Sequence, residues 1–360
     1  MFGRFFENGE EKTGFSGQSW WAPDVFEGAP SPAEVDAPTM HRALKQTGGL
    51  RVANATHMAV AEPLNTPVPP GHVRCVCVSD THSGHNAMEP LPPGDVLIHA
   101  GDFSNVGEAD DVLDFCNWVE RQTQFRARVV IAGNHDLSLD KDSYPATYQR
   151  FGHRSKADTA KLVARLREVS TYLDHEVAEV CGVRIFGSPY QPEFGGWAFN
   201  MVRNDGECRR RWASMVPAYE EKPFDILVTH GPPLGHGDAC IGSGAQGCWD
   251  LLDFVEAHPP KLHVFGHIHE SFGVTTNGKT AFVNASTMNF NYDVRRLRKP
   301  LVFDVPVAGN AEGSDLWRGR MFDPAAAAAV PPRRGDEVSE EDDETAEAGM
   351  GTRTKPTIGA

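Results

Sequence analysis

The feature that most constrains the fold of this chain is a short apolar run that ends abruptly in polar residues and recurs five times. The five copies are HVRCVCVSDTH, DVLIHAGDF, ARVVIAGNHD, FDILVTHGPP and KLHVFGHIHE. Each apolar run has the length of a buried strand, and each polar cluster begins at the C-terminal end of its run. Three segments between or after these runs carry apolar residues at helical spacing: 108–122, 159–169 and 248–257. Alternating strands and helices predict an α/β fold with a largely buried sheet.

The later half of the chain is richer in strand patterns. TYLDHEVAEVCGVRIFGSPY predicts two strands joined at Cys181-Gly182. FGVTTNGKTAFVNAST predicts a hairpin with a type I′ turn at Asn277-Gly278, and LVFDVPV predicts a last strand. We therefore expect two sheets rather than one.

Composition divides the chain into three parts. Residues 1–64 have no clear periodicity and are expected to form a partly ordered N-terminal arm, whereas residues 65–307 form the folded domain. Residues 308–360 are expected to be an acidic, disordered tail, with eight acidic residues between Asp336 and Glu347. The formal net charge of −15 disfavours polymeric nucleic acid and anionic membranes as partners, because both attract Lys and Arg. A single nucleotide held at metal ions remains compatible with this charge.

Cysteine usage and hydropathy point to a cytoplasmic protein. The seven cysteines include no CxxC pair, and Cys75 and Cys77 are expected to share one strand face as small buried hydrophobic residues. No apolar stretch reaches the ~18 residues of a membrane helix. The first residues lack the apolar segment of a secretory signal. The sequence does not determine the oligomeric state.

The polar clusters at the five strand ends consist largely of Asp, His and Asn. They are Asp80-Thr81-His82, Gly101-Asp102, Gly133-Asn134-His135-Asp136, Thr229-His230-Gly231 and Gly266-His267-Ile268-His269. Residues two apart at a strand end point the same way, so Asp80 and His82 can reach one ion. Taken singly, each cluster is also compatible with a turn, a helix cap or a partnered core residue. Because strand ends gather at one edge of a layered sheet, their conjunction favours a metal centre.

The order D-x-H, G-D, G-N-H-D, x-H-G and G-H-x-H resembles that of the calcineurin-like metallophosphoesterases, over residues 74–305. VSDTHS, GDVLIHAGDF, VVIAGNHD, THGPPLG, PKLHVFGHIHE and NAST look like a narrower branch, the small metallophosphoesterase-domain-containing proteins of animal brain. Members of that branch resemble cyclic-nucleotide phosphodiesterases. The resemblance implies a four-layer α/β/β/α sandwich with two mixed β-sheets.

The resemblance also implies a role for each cluster residue. Asp80, His82 and His269 would hold the first metal ion, Asn134, His230 and His267 the second, and Asp102 both; His135 and Asp136 would be catalytic. In this scheme Asp136 orients and polarises His135, which protonates the leaving oxygen or stabilises charge there. Some members of the branch have Gly in place of His267, which weakens their second site. This chain has the complete set.

The function that the resemblance implies is a metal-dependent phosphodiesterase acting on a small phosphodiester or nucleotide, with cyclic nucleotides expected first. A hydroxide bridging two divalent ions would attack the phosphorus. Ligands without thiolate suit Mn²⁺, which we expect first, and also iron, Zn²⁺ or Mg²⁺. The alternatives are a phosphomonoesterase or protein phosphatase and a non-catalytic nucleotide-binding scaffold. Protein phosphatases of this superfamily grip phosphate with Arg, and the five motifs contain no Arg, which favours a diesterase.

Several other polar and aromatic residues have less specific interpretations. Trp197, Phe199 and Asn200 of FGGWAFN could stack a nucleobase or pack within the protein. His85 and His236 lie in loop-like sequence and are expected to be solvated.

Overall fold

The computed structural model describes residues 67–203, 206–241 and 243–307, together with the backbone of three short strands before them, Phe6–Glu7, Glu10–Glu11 and Thr56–Met58. The rest of the predicted arm and the predicted tail lie outside the described residues. The strands of the two main sheets are β1 (Thr56–Met58), β2 (His72–Val78), β3 (Val96–Ala100), β4 (Ala127–Ile131), β5 (Thr171–Tyr172), β6 (Glu176–Val180), β7 (Val183–Ser188), β8 (Ile226–Thr229), β9 (Leu262–Phe265), β10 (Gly273–Thr276), β11 (Ala281–Asn284) and β12 (Leu301–Pro306).

The helices of the described residues are α1 (Ala109–Arg121), α2 (Tyr144–Thr147), α3 (Thr159–Val169), α4 (Glu207–Ala213), α5 (Val216–Glu221) and α6 (Trp249–Ala257). Short 3₁₀ turns occur at His85–Ala87, Leu137–Leu139, His269–Ser271 and Val294–Arg296. Two-residue strands pair at Phe6–Glu7 with Glu10–Glu11, Gln191–Pro192 with Asn200–Met201, and Ala239–Cys240 with Gly244–Ala245. None of these helices is long and apolar enough to cross a membrane.

The first main sheet has five strands in the order β12-β2-β3-β4-β5. Strands β2 to β5 are parallel, and β12 closes one edge antiparallel to β2. The second sheet has seven strands in the order β1-β10-β11-β9-β8-β7-β6. Its central strands β11, β9, β8 and β7 are parallel, and antiparallel strands flank them on both sides. The central strands are buried on both faces, which explains why they appear in the sequence as continuous apolar runs.

Three apolar clusters separate four layers of secondary structure. Side chains of both sheets, such as Ile98 of β3 and Val228 of β8, form the cluster between the sheets. Helices α1 and α3 cover the outer face of the five-stranded sheet, and α4 and α6 cover that of the seven-stranded sheet. This arrangement confirms the predicted α/β/β/α sandwich with two mixed sheets.

Several local predictions can be compared with the structure directly. Cys75 and Cys77 are fully buried in the cluster between the sheets, as expected. The hairpin after β10 also forms, but its turn is not type I′. Thr276 pairs with Ala281, so the connection has four residues, and the Asn277 side chain organises it by accepting two backbone N–H groups. A type I′ turn connects its strands with two residues.

The expectation that His85 and His236 are solvated is wrong, because both are 1% exposed. The sequence around each is loop-like, but neighbouring elements cover it. The ring of His85 lies 5.5 Å from that of Phe115 in α1, and His236 stacks on Phe282 of β11 with ring centroids 3.7 Å apart.

Backbone hydrogen bonds join the C-terminal ends of the two sheets. The Thr287 N–H, which follows β11, donates to the carbonyl of Ser79 after β2 at 2.7 Å. Within the sheets, Asp80 N–H donates to Gly101 at 2.9 Å and Gly266 N–H to His230 at 3.0 Å. The polar clusters that follow the strands therefore lie at one common edge.

Candidate metal centre

The backbone turns sharply where the strands end, and this places the polar side chains. Asp80, His82, Asp102 and His267 all have positive φ, between 41° and 69°. For residues with a side chain this conformation costs about 1–3 kcal/mol, and such strain is concentrated at functional sites.

Two glycines allow the chains to approach closely at this edge. A Cβ at Gly266 would lie 1.8 Å from Oδ2 of Asp80, and one at Gly133 would lie 2.2 Å from Oδ1 of Asp102. Any larger residue at either position would displace a carboxylate of the site.

The first cluster contains Asp80, His82 and His269. Nε2 of His269 lies 3.2 Å from Oδ1 of Asp80 and 3.2 Å from Nε2 of His82. All three residues are buried. The Asp80 carboxylate also accepts hydrogen bonds from the hydroxyl of Ser286 and the N–H of His267, which fix its orientation. Nitrogen and oxygen atoms this close together suit the ligands of one divalent ion.

The second cluster contains Asn134, His230 and His267, next to Asp102. Nε2 of His230 lies 2.9 Å from Oδ1 of Asn134 and 3.2 Å from Oδ2 of Asp102. A ring nitrogen of His267 and the ligand atoms of His230 and Asp102 lie within 4.8 Å of one another. The other ring nitrogen of His230, Nδ1, donates to the carbonyl of Ala100, which leaves Nε2 directed at the cluster.

Asp102 is shared by the two clusters. Its Oδ2 lies 3.2 Å from Nε2 of His230 in the second and 3.9 Å from Nε2 of His82 in the first. One carboxylate in this position can bridge two cations. The structure thus brings together all seven residues that the resemblance assigned to the two metal ions.

The charges of these residues fit cation binding. Burial lowers the pKa of His267 to about 3 and that of His82 well below its ordinary value, so both imidazoles are neutral and can act as ligands. For His230 burial also acts to lower the pKa, but the carboxylates of Asp102 and Asp80 and the carbonyl of Ala100 together outweigh it and raise the pKa to about 9. The site therefore attracts positive charge, and a metal ion would replace the proton on His230. The donor set and its electrostatics fit a pair of divalent cations.

His135 lies next to both clusters and is only partly buried. Its backbone N–H donates to Oδ1 of Asp102 at 2.7 Å, and its ring Nδ1 donates to the carbonyl of Asn105 at 2.6 Å. The ring stacks on Trp197 with centroids 4.0 Å apart and meets the His82 ring edge-on at 4.7 Å. The hydrogen bond at Nδ1 leaves Nε2 available to a ligand.

The predicted partnership between Asp136 and His135 is wrong. The Asp136 carboxylate accepts the backbone N–H groups of Asp102, Gly133 and Ser104 and the hydroxyl of Ser104, while the carbonyl of Asn105 holds the His135 ring. Burial raises the pKa of Asp136 to about 7. Because of these four hydrogen bonds, Asp136 holds the loops that carry Asp102 and Asn134 in their conformation. Its position next to His135 in the sequence could not show which partner its side chain would contact.

Comparison with known proteins bears on what this centre is. The sequence profile described as Calcineurin-like phosphoesterase matches residues 73–271, more than half of the chain. Metallophosphoesterase domain-containing protein 1 of Homo sapiens is 39% identical over 265 residues, which cover 71% of this chain and 78% of that protein. The chain belongs to the calcineurin-like phosphoesterase family. The matched segment carries all seven candidate ligands and His135.

Two further proteins are similar to this calcineurin-like phosphoesterase to different extents. UPF0046 protein T07D4.2 of Caenorhabditis elegans is 38% identical over 258 residues, which cover 68% of this chain. The match covers 63% of that relative's own length, less than two thirds. The crystal structure of phosphopantetheinyl hydrolase from Mycobacterium tuberculosis has a TM-score of 0.44 and 20% identity, and the match covers 66% of this chain and 97% of that one.

Aromatic residues border the centre of this calcineurin-like phosphoesterase, but not all of those that the sequence suggested. Trp197 stacks on His135, whereas Phe199 is 2% exposed and packs in the core. The side chain of Asn200 bonds to the backbone of Phe194 within its own loop. No motif of the sequence singled out Tyr292, whose ring lies 4.9 Å from those of His82 and His269. It lies in a loop without periodicity, so no pattern distinguished it.

Proposed function

We propose that this protein is a metal-dependent phosphodiesterase that hydrolyses small phosphate diesters, cyclic nucleotides first among them. The observation that supports this most directly is the position of Asp102 between two buried clusters, with His135 hydrogen-bonded to the same carboxylate. Two divalent ions bound there would lower the pKa of water and neutralise charge on the phosphoryl oxygens. The site offers carboxylate, amide and imidazole ligands without thiolate, which suit Mn²⁺, the ion that we expect first, and also iron, Zn²⁺ and Mg²⁺.

His135 has the geometry of a proton-exchanging group. The carbonyl of Asn105 holds the proton on Nδ1, so exchange with the leaving oxygen takes place at Nε2. Trp197 packs flat against the ring and restricts its rotation. Burial lowers the pKa of His135, and the nearby Asp102 carboxylate opposes this effect. A phosphate anion bound beside the ring would act in the same direction as Asp102 and raise the pKa of His135.

Two features favour a diester with a planar organic group as the substrate. The phosphate of a diester carries one negative charge, whereas that of a monoester carries up to two. The five motifs contain no Arg that could bind the second charge of a monoester. Phe194 and Trp197 lie beside His267 and His135, with ring centroids 5.8 and 4.0 Å apart, and both are partly exposed. Such rings suit stacking with a nucleobase.

The first test is hydrolysis of bis-p-nitrophenyl phosphate by protein stripped of metal with a chelator, before and after addition of Mn²⁺. We expect turnover only with metal, and its loss in His135→Ala. Purified 2′,3′- and 3′,5′-cyclic nucleotides are then compared with p-nitrophenyl phosphate and a phosphopeptide. Preference for the last two substrates would indicate a monoesterase or protein phosphatase. Absence of turnover with any divalent metal in a folded protein would reject the enzyme and favour a nucleotide-binding scaffold.

A further inference from the structure

Tyr292 combines contact with the metal centre and exposure to solvent. Its ring centroid lies 4.9 Å from those of both His82 and His269, at interplanar angles of 62° and 53°. The residue is nevertheless 49% exposed. The phenol therefore packs on two candidate ligands of the first ion, while about half of the residue's surface stays accessible to an arriving molecule.

The loop around Tyr292 is built to hold this position. Tyr292 has a φ of 53°, and its N–H donates to the carbonyl of Asn289 at 3.0 Å. The Asn289 side chain accepts the N–H groups of Asn291 and Asp293 and donates to the carbonyl of Arg296. A bulky residue keeps a positive φ only where its surroundings enforce it, as these hydrogen bonds do.

The base of the same loop is attached to the strand that carries the first cluster. The Met288 N–H donates to the carbonyl of Asp80 at 3.0 Å. The guanidinium of Arg298 donates to the carbonyls of Ser286 and Met288, which joins the two ends of the loop. The position of Tyr292 relative to the centre is therefore fixed before any substrate binds.

The loop also carries an unusual amount of exposed apolar surface. Among the described residues, six large hydrophobic side chains are exposed, and Phe290, Tyr292 and Val294 are three of them, at 54%, 49% and 47%. Exposed apolar surface that adjoins a reaction centre is typical of a place where part of a ligand is bound.

A series of ring contacts connects Tyr292 with Trp197 across the centre. Trp197 lies 4.0 Å from His135, His135 lies 4.7 Å from His82, and His82 lies 4.9 Å from Tyr292. Tyr292 and Trp197 thus border the site, and the candidate ligand His82 and the candidate catalytic residue His135 lie between them. A phosphomonoester has one organic group to place against Trp197 and Tyr292, and in a cyclic nucleotide both ester oxygens belong to one ribose. An acyclic diester has two separate organic groups.

We propose that Tyr292 is a specificity-determining residue that packs against the second organic group of an acyclic phosphate diester, the first lying on the Trp197 side. This inference rests on the proposed phosphodiesterase function. It makes the Tyr292 loop a source of preference for diesters over monoesters, because only the diester covers its apolar surface.

The test compares Tyr292→Ala, Tyr292→Phe and the wild type on bis-p-nitrophenyl phosphate and p-nitrophenyl phosphate, all loaded with Mn²⁺. In Tyr292→Ala we expect kcat/KM for the diester to fall about tenfold, mainly through KM, with little change for the monoester. Tyr292→Phe retains the ring and should stay near the wild type. Leu113→Ala, which removes an exposed apolar side chain 40% accessible on α1, is the matched control. Bound manganese is measured in each protein.

The outcomes separate this inference from the proposed function. An equal loss on both substrates, or loss of manganese in Tyr292→Ala, would show that the residue only supports the ligands and would overturn the inference. Wild-type diester turnover with an unchanged diester-to-monoester ratio in Tyr292→Ala would overturn it too, and leave the phosphodiesterase intact. A wild type without diester turnover would reject both.

Discussion

Oδ2 of Asp102 lies 3.2 Å from Nε2 of His230, although the two residues belong to different sheets. Asp102 follows β3 of the five-stranded sheet, and His230 follows β8 of the seven-stranded sheet. Burying this carboxylate and imidazole together is favourable only because each compensates the other's lost hydration. The contact shows that the centre is assembled at the interface between the sheets.

Replacing Asp102 with Asn should weaken both metal sites at once. The amide removes the negative charge that both clusters share, so we expect metal affinity to fall by at least ~10-fold and turnover with it. Metal analysis after dialysis against limiting Mn²⁺ measures the first effect. Asp142→Asn, which changes an exposed acid, is the control. Retention of two ions per chain in Asp102→Asn would contradict the bridging assignment.

His267→Gly should abolish most hydrolysis and leave the fold intact. The imidazole is a candidate ligand of the second ion, whereas the backbone at φ 69° suits glycine better than histidine. In chelator, we expect the melting temperature to stay level or rise, while the bound metal falls toward one ion per chain. Unchanged turnover would mean that His267 is not a ligand.

His135→Ala should lower kcat and leave metal content unchanged. Its ring contacts the centre, but its two hydrogen bonds go to Asp102 through the backbone and to Asn105 through Nδ1. Loss of a proton-exchanging group reduces kcat by roughly 10²- to 10⁴-fold. Steady-state kinetics with saturating Mn²⁺ checks the size of the effect, and metal analysis checks its origin. A variant that loses metal in parallel with activity would place His135 among the ligands instead.

Asp136→Asn should destabilise the fold. The carboxylate accepts three backbone N–H groups and the hydroxyl of Ser104, and an amide cannot accept all of them. Unsatisfied buried donors cost about 1–3 kcal/mol each, so we expect a loss of a few kcal/mol in the free energy of unfolding. Urea denaturation in chelator measures it. Ser104→Ala removes one donor to Asp136 and leaves only the Gly107 N–H without its acceptor, so it should cost less. The reverse order would contradict this role for Asp136.

His236 should make the protein less stable in mild acid. Burial lowers its pKa to about 4, whereas the unfolded chain has a histidine pKa of about 6.5. Between these values only the unfolded state takes up the proton, so stability is complete above pH 6.5 and falls as the pH drops toward 4. When the pH falls from 7.5 to 5, the free energy of unfolding should decrease in both proteins. The decrease should be about 2 kcal/mol smaller in His236→Gln than in the wild type.

Urea denaturation at both pH values in chelator provides this comparison. His263 is also buried with a lowered pKa, mainly because of burial and to a smaller extent because of the neighbouring His236. Since burial is unchanged in the variant, most of the His263 contribution cancels in the difference. Identical pH dependence in variant and wild type would show that His236 does not control acid stability.

Much of this arrangement could be predicted because buried parallel strands leave a strong pattern. β2, β3, β4, β8 and β9 each appear as an apolar run followed by polar residues, and the helix 159–169 has the bounds that its periodicity indicates. The resemblance then supplied the seven ligand positions. Asp136 shows the limit of this approach, because its neighbour in the sequence is not its hydrogen-bond partner.

The sequence by itself determined the strands of an α/β fold and the residue types of the centre, because strand and helix periodicity and ligand chemistry are local properties. The four-layer arrangement followed from the resemblance. Only the tertiary structure decided which atoms meet. It placed Asp102 against His230, attached the His135 ring to Asn105, buried His85 and His236, and brought Tyr292 to the centre. These contacts join residues far apart in the chain, and packing between sheets and loops selects them.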